Sequence, residues 1–295
     1  MAPDDGTDSA STRADSTTAP STGGAASAAA TPAVAIRHCR HGYFMYLRGD
    51  RYVGRCLELY GEYSEGEVAL FRQIVPSGGT VVEVGANIGS LTVPLARLVG
   101  PAGRVVAFEP QRSVFNVLCG NLALNGLSNV TPLRAAAGCS PGSIAVPVLG
   151  YDERENYGGV SVGGPSRRPT EAVAVERVDD LELSRLDLLK VDVEGAEADV
   201  IAGAAAAIAR FRPAIFVEND RKEHSHALIS AIEQHDYRLW WHFAPLFSPD
   251  NFHGNPENVM GRVMSINMLA LPREDKREVR GLRPVSGGDD WWNPS

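Results

Sequence analysis

From Thr80 onward, short and continuously apolar runs alternate with stretches of helical periodicity. The runs Thr80–Val84, Arg104–Phe108, Val130–Ala136, Leu186–Val191 and Ala214–Val217 lack the polar alternation of a half-exposed strand. They predict strands buried on both faces of a parallel sheet. Between and after them the spacing predicts helices over Ser90–Leu98, Gln111–Leu124, Ala196–Ile208 and His224–Gln234, and later strands over Arg238–Trp241 and Met264–Leu271. Alternation of continuous apolar strands with helices implies an α/β sheet covered by helices on both sides.

The flanking segments read differently. Residues 1–33 are almost entirely Ala, Ser, Thr, Gly, Pro and Asp, with too little apolar surface to offset the entropy of ordering, so a disordered tail is expected there. Residues 34–79 form an N-terminal cap with a helix over Glu65–Ile74, ended by Pro76 and the pair Gly78-Gly79. The strand–helix domain covers 80–272. Within it, Gly138–Ala172 is rich in Gly, Pro and Ser and reads as a loop or hairpin insertion. A polar C-terminal tail, 273–295, contains Trp291-Trp292, a pair able to dock.

Charge narrows the partners. The net charge is −8 and the basic residues are scattered, so neither nucleic acid nor an anionic membrane surface is expected as a partner. A small-molecule substrate is expected, and the oligomeric state is left open, a homodimer included. Cys39, Cys56, Cys119 and Cys139 show no paired spacing, which suits reduced thiols in the cytoplasm. No apolar run approaches the ~20 residues of a membrane span. Acids at Asp4, Asp5 and Asp8 stand where a signal peptide is basic, so no targeting address is expected.

Four apolar runs finish on acids: Glu83, Glu109, Asp192 with Glu194, and Glu218 with Asp220. Ligands of open parallel sheets bind beyond the carboxyl ends of the strands, so these segments would deliver carboxylates to one cleft suited to a cationic or hydroxyl-rich ligand. Each acid singly could instead cap a helix or pair with a surface arginine. In "VVEVGANIGS" the glycines Gly85 and Gly89 permit a tight turn and close approach of a ligand to backbone. Glu109, 20 residues beyond Gly89, stands where a ribose-binding acid ends the second strand of a nucleoside-binding unit. The G-A-N-I-G spacing lacks the third glycine of a pyrophosphate cradle. It therefore favours a phosphate-free nucleoside carrying a positive sulfonium, S-adenosylmethionine, with an NAD-dependent oxidoreductase as the alternative enzyme.

The run from "VVEVGANIGSLTVPLARL" through "VVAFEP", followed by "NYGGVSV" and "LDLLKVDVEGAEADVIAG", resembles the FkbM family of S-adenosylmethionine-dependent methyltransferases. The resemblance implies a class I methyltransferase (Rossmann-like) fold. Its sheet is seven-stranded and mostly parallel, with an antiparallel last strand, here Met264–Leu271, and helices on both faces. It also implies methyl transfer to a hydroxyl of a sugar, polyketide or other secondary metabolite. Carried over by position, Glu83, Gly85, Asn87 and Gly89 line the cofactor, together with Asp192. Glu109, followed by Pro110, meets its ribose, and the Arg134–Ala137 stretch, Ala136 included, flanks its adenine. A methyltransferase-like module without catalysis is the non-enzymatic alternative, disfavoured because the acid set is complete.

An alcohol proton must leave as the oxygen is methylated, so a base or a metal is expected. Asp192, Glu194 and His242 are the candidates for the base. Asp192, Glu194 and Glu218 would suit Mg²⁺ if they converge; without a metal their mutual repulsion would raise one pKa and make a base of that carboxylate. His242, beside Trp240 and Trp241, could equally be a structural residue. In the loop "FSPDNFHGNPENVMG", Asn251, His253 and Asn255 are candidates for acceptor recognition.

Overall fold

The computed structural model describes residues 32–160, 163 and 166–292. All but the last two positions of the expected tail 1–33 lie outside these, as do the final three residues. The described chain opens with an antiparallel hairpin, β1 (Val34–Cys39) and β2 (Gly42–Leu47), followed by helices α1 (Val53–Leu59) and α2 (Glu65–Ile74). The alternating portion then runs β3 (Thr80–Val84), α3 (Thr92–Val99), β4 (Arg104–Phe108), α4 (Arg112–Leu124) and β5 (Val130–Leu133). Three strands form a small separate sheet: β6 (Ala136–Ala137), β7 (Gly142–Pro147) and β8 (Thr170–Glu176). The chain returns through β9 (Leu188–Val191), α5 (Glu197–Ala202), α6 (Ala205–Phe211), β10 (Ala214–Glu218) and α7 (Lys222–Glu233). It finishes with β11 (Tyr237–Pro245), β12 (Met264–Pro272) and the two-residue β13 (Arg283–Pro284).

In the main sheet the strand order is β13-β11-β12-β10-β9-β3-β4-β5. Strands β5, β4, β3, β9 and β10 are parallel, and β12 runs antiparallel between β10 and β11. The expected seven strands are therefore present with the antiparallel one placed as expected, and β13 adds a short eighth at the edge. Alternation along each strand supplies the two faces. Val82, Val84, Leu189, Val191, Ile215 and Val217 pack with Val200, Ile208, Leu228 and Ile232 of the helices on one side. Val81, Val105, Leu188 and Phe216 pack with Phe71, Leu95 and Leu118 on the other.

Three expected elements are revised. The strand over Val130–Ala136 is two strands, because the chain leaves β4 after Leu133 and Ala136 pairs instead with Val175 of β8. The helix over Ala196–Ile208 is also two. A side chain at Gly203 would lie 2.0 Å from the Gly138 carbonyl oxygen, so the Gly138 backbone packs where the helix would continue. Its restart is capped from far upstream, by the Asp179 carboxylate accepting from Ala206 and Ala207 N–H at 3.1 and 2.8 Å. The tail beyond 273 is not merely polar. Arg283 and Pro284 pair with Trp241 and Trp240, and the rings of Trp291 and Trp292 rest against Trp241 and Phe243.

Gly85 follows β3 with φ +85°, and a Cβ there would sit 1.8 Å from the carbonyl oxygen of Asp192. Its smallness thus serves the neighbouring strand end first, and not only the approach of a ligand. Gly126 has a similar φ of +63° but open space around it. Gly126→Ala should therefore cost about 1 kcal/mol, the strain of a left-handed backbone alone, and Gly85→Ala at least about twice that. Urea unfolding of both variants checks this; equal losses would contradict the close approach.

Candidate active site

Period-2 alternation puts Glu83, Lys190 and Glu218 on the sheet face covered by α2, near the carboxyl ends of three adjacent strands. Lys190 is the surprise. It is 2% exposed, and its Nζ lies 3.4 Å from Asp192 Oδ2 and 3.6 Å from Glu83 Oε1. Burial alone would lower the ammonium's pKa, but the carboxylates of Asp192, Glu83 and Glu67 outweigh it and raise it above the ordinary lysine value. Glu83 is wholly buried and accepts the Thr92 hydroxyl at 2.6 Å. Glu67, on α2, accepts the Ser64 hydroxyl at 2.7 Å. Burial raises the pKa of both acids, with Lys190 working against it.

Glu109 follows β4, its N–H still bonded to Leu133 O at 3.0 Å. Its Oε2 accepts from Asn87 N–H at 2.9 Å and its Oε1 from Gln111 N–H at 2.8 Å. One carboxylate therefore pins the glycine turn, where Asn87 has φ +50°, and the start of α4. Burial pushes it up to about 7 against the pull of those two N–H groups. Each oxygen keeps a further lone pair.

Two cavities meet at this carboxylate. The first, about 390 Å³, has apolar walls from Phe108, Pro110, Ala135, Ala136, Val160 and Val193. No lysine, arginine or histidine among the described residues lines it. The second, about 340 Å³, is polar, with Tyr52 and Tyr63 from the cap, Asn156 from the insertion, and Met264 and Ser265 at the start of β12. Asn87, Glu218 and Asp220 also face it. Gly85, Glu109, Asp192 and Glu194 line both.

The loop after β9 is held by Glu197, whose Oε1 accepts from Val193 N–H at 3.2 Å and Gly195 N–H at 2.9 Å. Glu194, at φ +59°, is ion-paired with Arg221. Burial first and Asp192 second push it up to about 7 despite that partner. Glu218, which ends β10, has Oε2 out of contact with solvent and without a hydrogen-bond partner among the described residues. Burial and the neighbouring acids, Asp192 foremost, push it well above the carboxylate range.

Several expected site residues stand elsewhere. Glu83 lines neither cavity, because its side chain turns inward to Thr92 and Lys190. Gly89 also lines neither; a Cβ on it would lie 2.8 Å from Leu118, so it serves the packing of α4. His242 lines neither cavity. It packs edge-on against Phe216 at 5.4 Å under α2, and burial lowers its pKa. The Asn251 side chain donates to Asn255 O and accepts from Asn255 N–H, the Asn255 side chain accepts from Glu257 N–H, and His253 Nε2 lies 2.9 Å from His38 O, so all three hold the loop to itself and to the cap. Asp192, Glu194 and Glu218 share the polar cavity, yet among the described residues no group of three or more His, Cys, Asp or Glu could hold a metal ion. Lys190 was missed by sequence reasoning, although a lysine inside the apolar run "LLKV" signals buried carboxylates nearby.

The strand order with its antiparallel β12 and the glycine turn after β3 define the class I S-adenosylmethionine-dependent methyltransferase fold. The Methyltransferase FkbM domain matches residues 83–239, and the chain belongs to that family. Methyltransferase sdnD of Sordaria araneosa is 32% identical over 160 residues, 44% of this chain and 61% of that protein. Methyltransferase 1 of Beauveria bassiana is 29% identical over 148 residues, 43% and 59% respectively. The chain thus spans about three-fifths of the length of these two curated relatives. Among solved structures, Methyltransferase FkbM from Methylobacillus flagellatus KT aligns at 18% identity and a TM-score of 0.42, over 68% of this chain and 50% of that one.

Lys190→Met leaves Glu83, Glu67 and Asp192 without their buried counter-ion and should cost about 3–5 kcal/mol in urea unfolding. Adding Glu83→Gln should recover part of that loss; a single variant as stable as the parent would contradict the network. The raised carboxylates set the pH dependence. Glu109 and Glu194 titrate near 7 folded and near ~4.3 unfolded, so the folded state binds more protons between these values. Their stabilising contribution is complete below the unfolded pKa and is lost as pH rises through about 7. The melting temperature of the ligand-free protein should fall from pH 5 to pH 8, and a rise would contradict these assignments.

Proposed function

We propose that this protein transfers the methyl group of S-adenosylmethionine to a hydroxyl oxygen of a small molecule such as a sugar, polyketide or other secondary metabolite. The observation that carries the reading is Glu109, a buried carboxylate with free lone pairs at the wall between an apolar and a polar cavity. The donor set fits the cofactor. Apolar walls suit a purine, and Glu109 can accept from both ribose hydroxyls while keeping its backbone bonds. A cavity lined by no cation among the described residues gives a pyrophosphate nothing to meet, which favours this cofactor over NAD. Four free cysteines support a cytoplasmic setting.

When bound, the cofactor supplies a sulfonium-borne methyl group open to in-line displacement, with a neutral thioether as leaving group. The protein's part is alignment, exclusion of water and removal of a proton. Asp192 stands at the junction of the cavities, its carboxylate steadied by Lys190, and accepts a hydrogen bond from the acceptor hydroxyl. Glu194, up to about 7, is matched to taking the proton at neutral pH as the oxygen–carbon bond forms. Arg221 fixes its orientation.

Calorimetry with S-adenosylhomocysteine and with NADH tests the reading. The thioether should bind and NADH should not; the reverse would overturn it. Affinity for S-adenosylhomocysteine should rise with pH and level off above about 7, because hydroxyl donors favour the ionised form of Glu109. Glu109→Ala should weaken binding by about ten- to a hundredfold. Glu194→Gln should lower turnover by about 10²-fold or more while S-adenosylhomocysteine still binds; unchanged turnover would remove Glu194 from its role.

A further inference from the structure

The segment 156–159, "NYGG", walls the polar cavity and takes no part in the chemistry proposed for it. Tyr157 at its centre is an anchor. Its ring is fully buried in the cluster of Phe44, Leu47 and Val53 of the cap. Its hydroxyl donates to Gly150 O at 2.6 Å, its N–H donates to the Asp50 carboxylate, and its carbonyl accepts from Gln111 Nε2 at 2.8 Å. Asn156 on one side and Gly158-Gly159 on the other are thereby held in place at the cavity wall before any ligand arrives.

What they present is a set of unspent donors. A Cβ on Gly158 would lie 2.8 Å from Asn87 Nδ2, and one on Gly159 would lie 2.1 Å from Asn156 Nδ2, so both amides sit against backbone that a side chain would push away. Asn87 Oδ1 accepts from Ile88 N–H at 2.6 Å, which leaves Nδ2 as its free end. Neither that nitrogen, nor Asn156 Nδ2, nor the N–H groups of Gly158 and Gly159 have a hydrogen-bond partner among the described residues. Neighbouring donors of this kind suit a carboxylate, which accepts several hydrogen bonds at once.

S-adenosylmethionine brings such a group. Its tail is an α-amino acid, with an ammonium and a carboxylate on one carbon. The acids at the strand ends suit the ammonium. The carboxylate has no cation to meet, because no lysine, arginine or histidine among the described residues lines either cavity. Glu194, whose Oε1 would lie 3.3 Å from a Cβ on Gly159, is already paired with Arg221 and opposes a second anion only weakly. Asn87 belongs to the glycine turn, whose Gly85 lines both cavities, so the free donors begin where the nucleoside cavity ends.

We infer that Asn87, Asn156 and the Gly158-Gly159 backbone form the seat of the cofactor's α-carboxylate, built from neutral donors alone. The assignment rests on the methyl-transfer reading above and adds to it the grip on the amino-acid tail.

The test is calorimetry on the full chain with S-adenosylhomocysteine and with its decarboxylated analogue, which keeps the ammonium and lacks only the carboxylate. The parent should bind S-adenosylhomocysteine about tenfold or more tightly than the analogue. Asn156→Ala, which removes a donor and adds no charge, should weaken S-adenosylhomocysteine by about tenfold, and Asn156→Asp, which puts an anion in the seat, by more. Both variants should bind the analogue no worse than the parent does, which shows that they are folded. A parent that binds the two ligands equally, an Asn156→Ala variant that binds S-adenosylhomocysteine as the parent does, or variants that lose both ligands alike would overturn the inference and leave the methyl-transfer reading standing. Failure of both ligands to bind the parent would overturn both.

Discussion

A single buried ammonium organises the site. Lys190 lies in the middle strand of three and would be intolerable in an apolar sheet without counter-ions. Glu83 on β3, Asp192 just beyond β9 and Glu67 on α2 surround it. That arrangement ties the cap to the sheet and sets the Asp192 carboxylate at the mouth of both cavities. Glu83 is consumed in the process, which is why an acid in the position expected to line the cofactor stays beneath the floor.

Glu109 plays the matching part on the other side of the turn. Its two oxygens accept from Asn87 and Gln111, so the glycine turn and the start of α4 are fixed by the same group proposed to meet the ribose. The alternatives of capping residue and ligand residue are compatible, because a carboxylate accepts more than two hydrogen bonds. From these two anchors the contrast between the cavities follows. Apolar β4 and the Ala135–Ala137 stretch wall one, while the acidic strand ends, the tyrosines of the cap and the insertion wall the other.

Much of this was legible in the residues. Continuous apolar runs gave the parallel strands, the terminal acids other than Glu83 line the cavities, and the distance of Glu109 from the glycine turn placed it at their shared wall. What escaped reading depends on contacts remote in sequence. The break between α5 and α6 needs Gly138 against Gly203 and a cap from Asp179, neither visible in a local pattern. The role of Gly85 depends on a carbonyl 107 residues away. His242 looked like a base because it follows a strand, while its neighbours Trp240 and Trp241 pointed to a structural residue; its face of β11 lies under α2 against Phe216. Asn251, His253 and Asn255 looked available because turn residues carry polar groups, and those groups are spent on the loop's own backbone and, for His253, on the His38 carbonyl of the cap.

The central claim is that Glu109 joins a nucleoside cavity to an acceptor cavity, and a crystal structure of the complex with S-adenosylhomocysteine tests it most directly. The account predicts adenine between Phe108 and Val193, both ribose hydroxyls on the Glu109 carboxylate, and the thioether sulfur at the junction beside Asp192. A nucleoside bound outside the apolar cavity, or a ribose out of reach of Glu109, would contradict it.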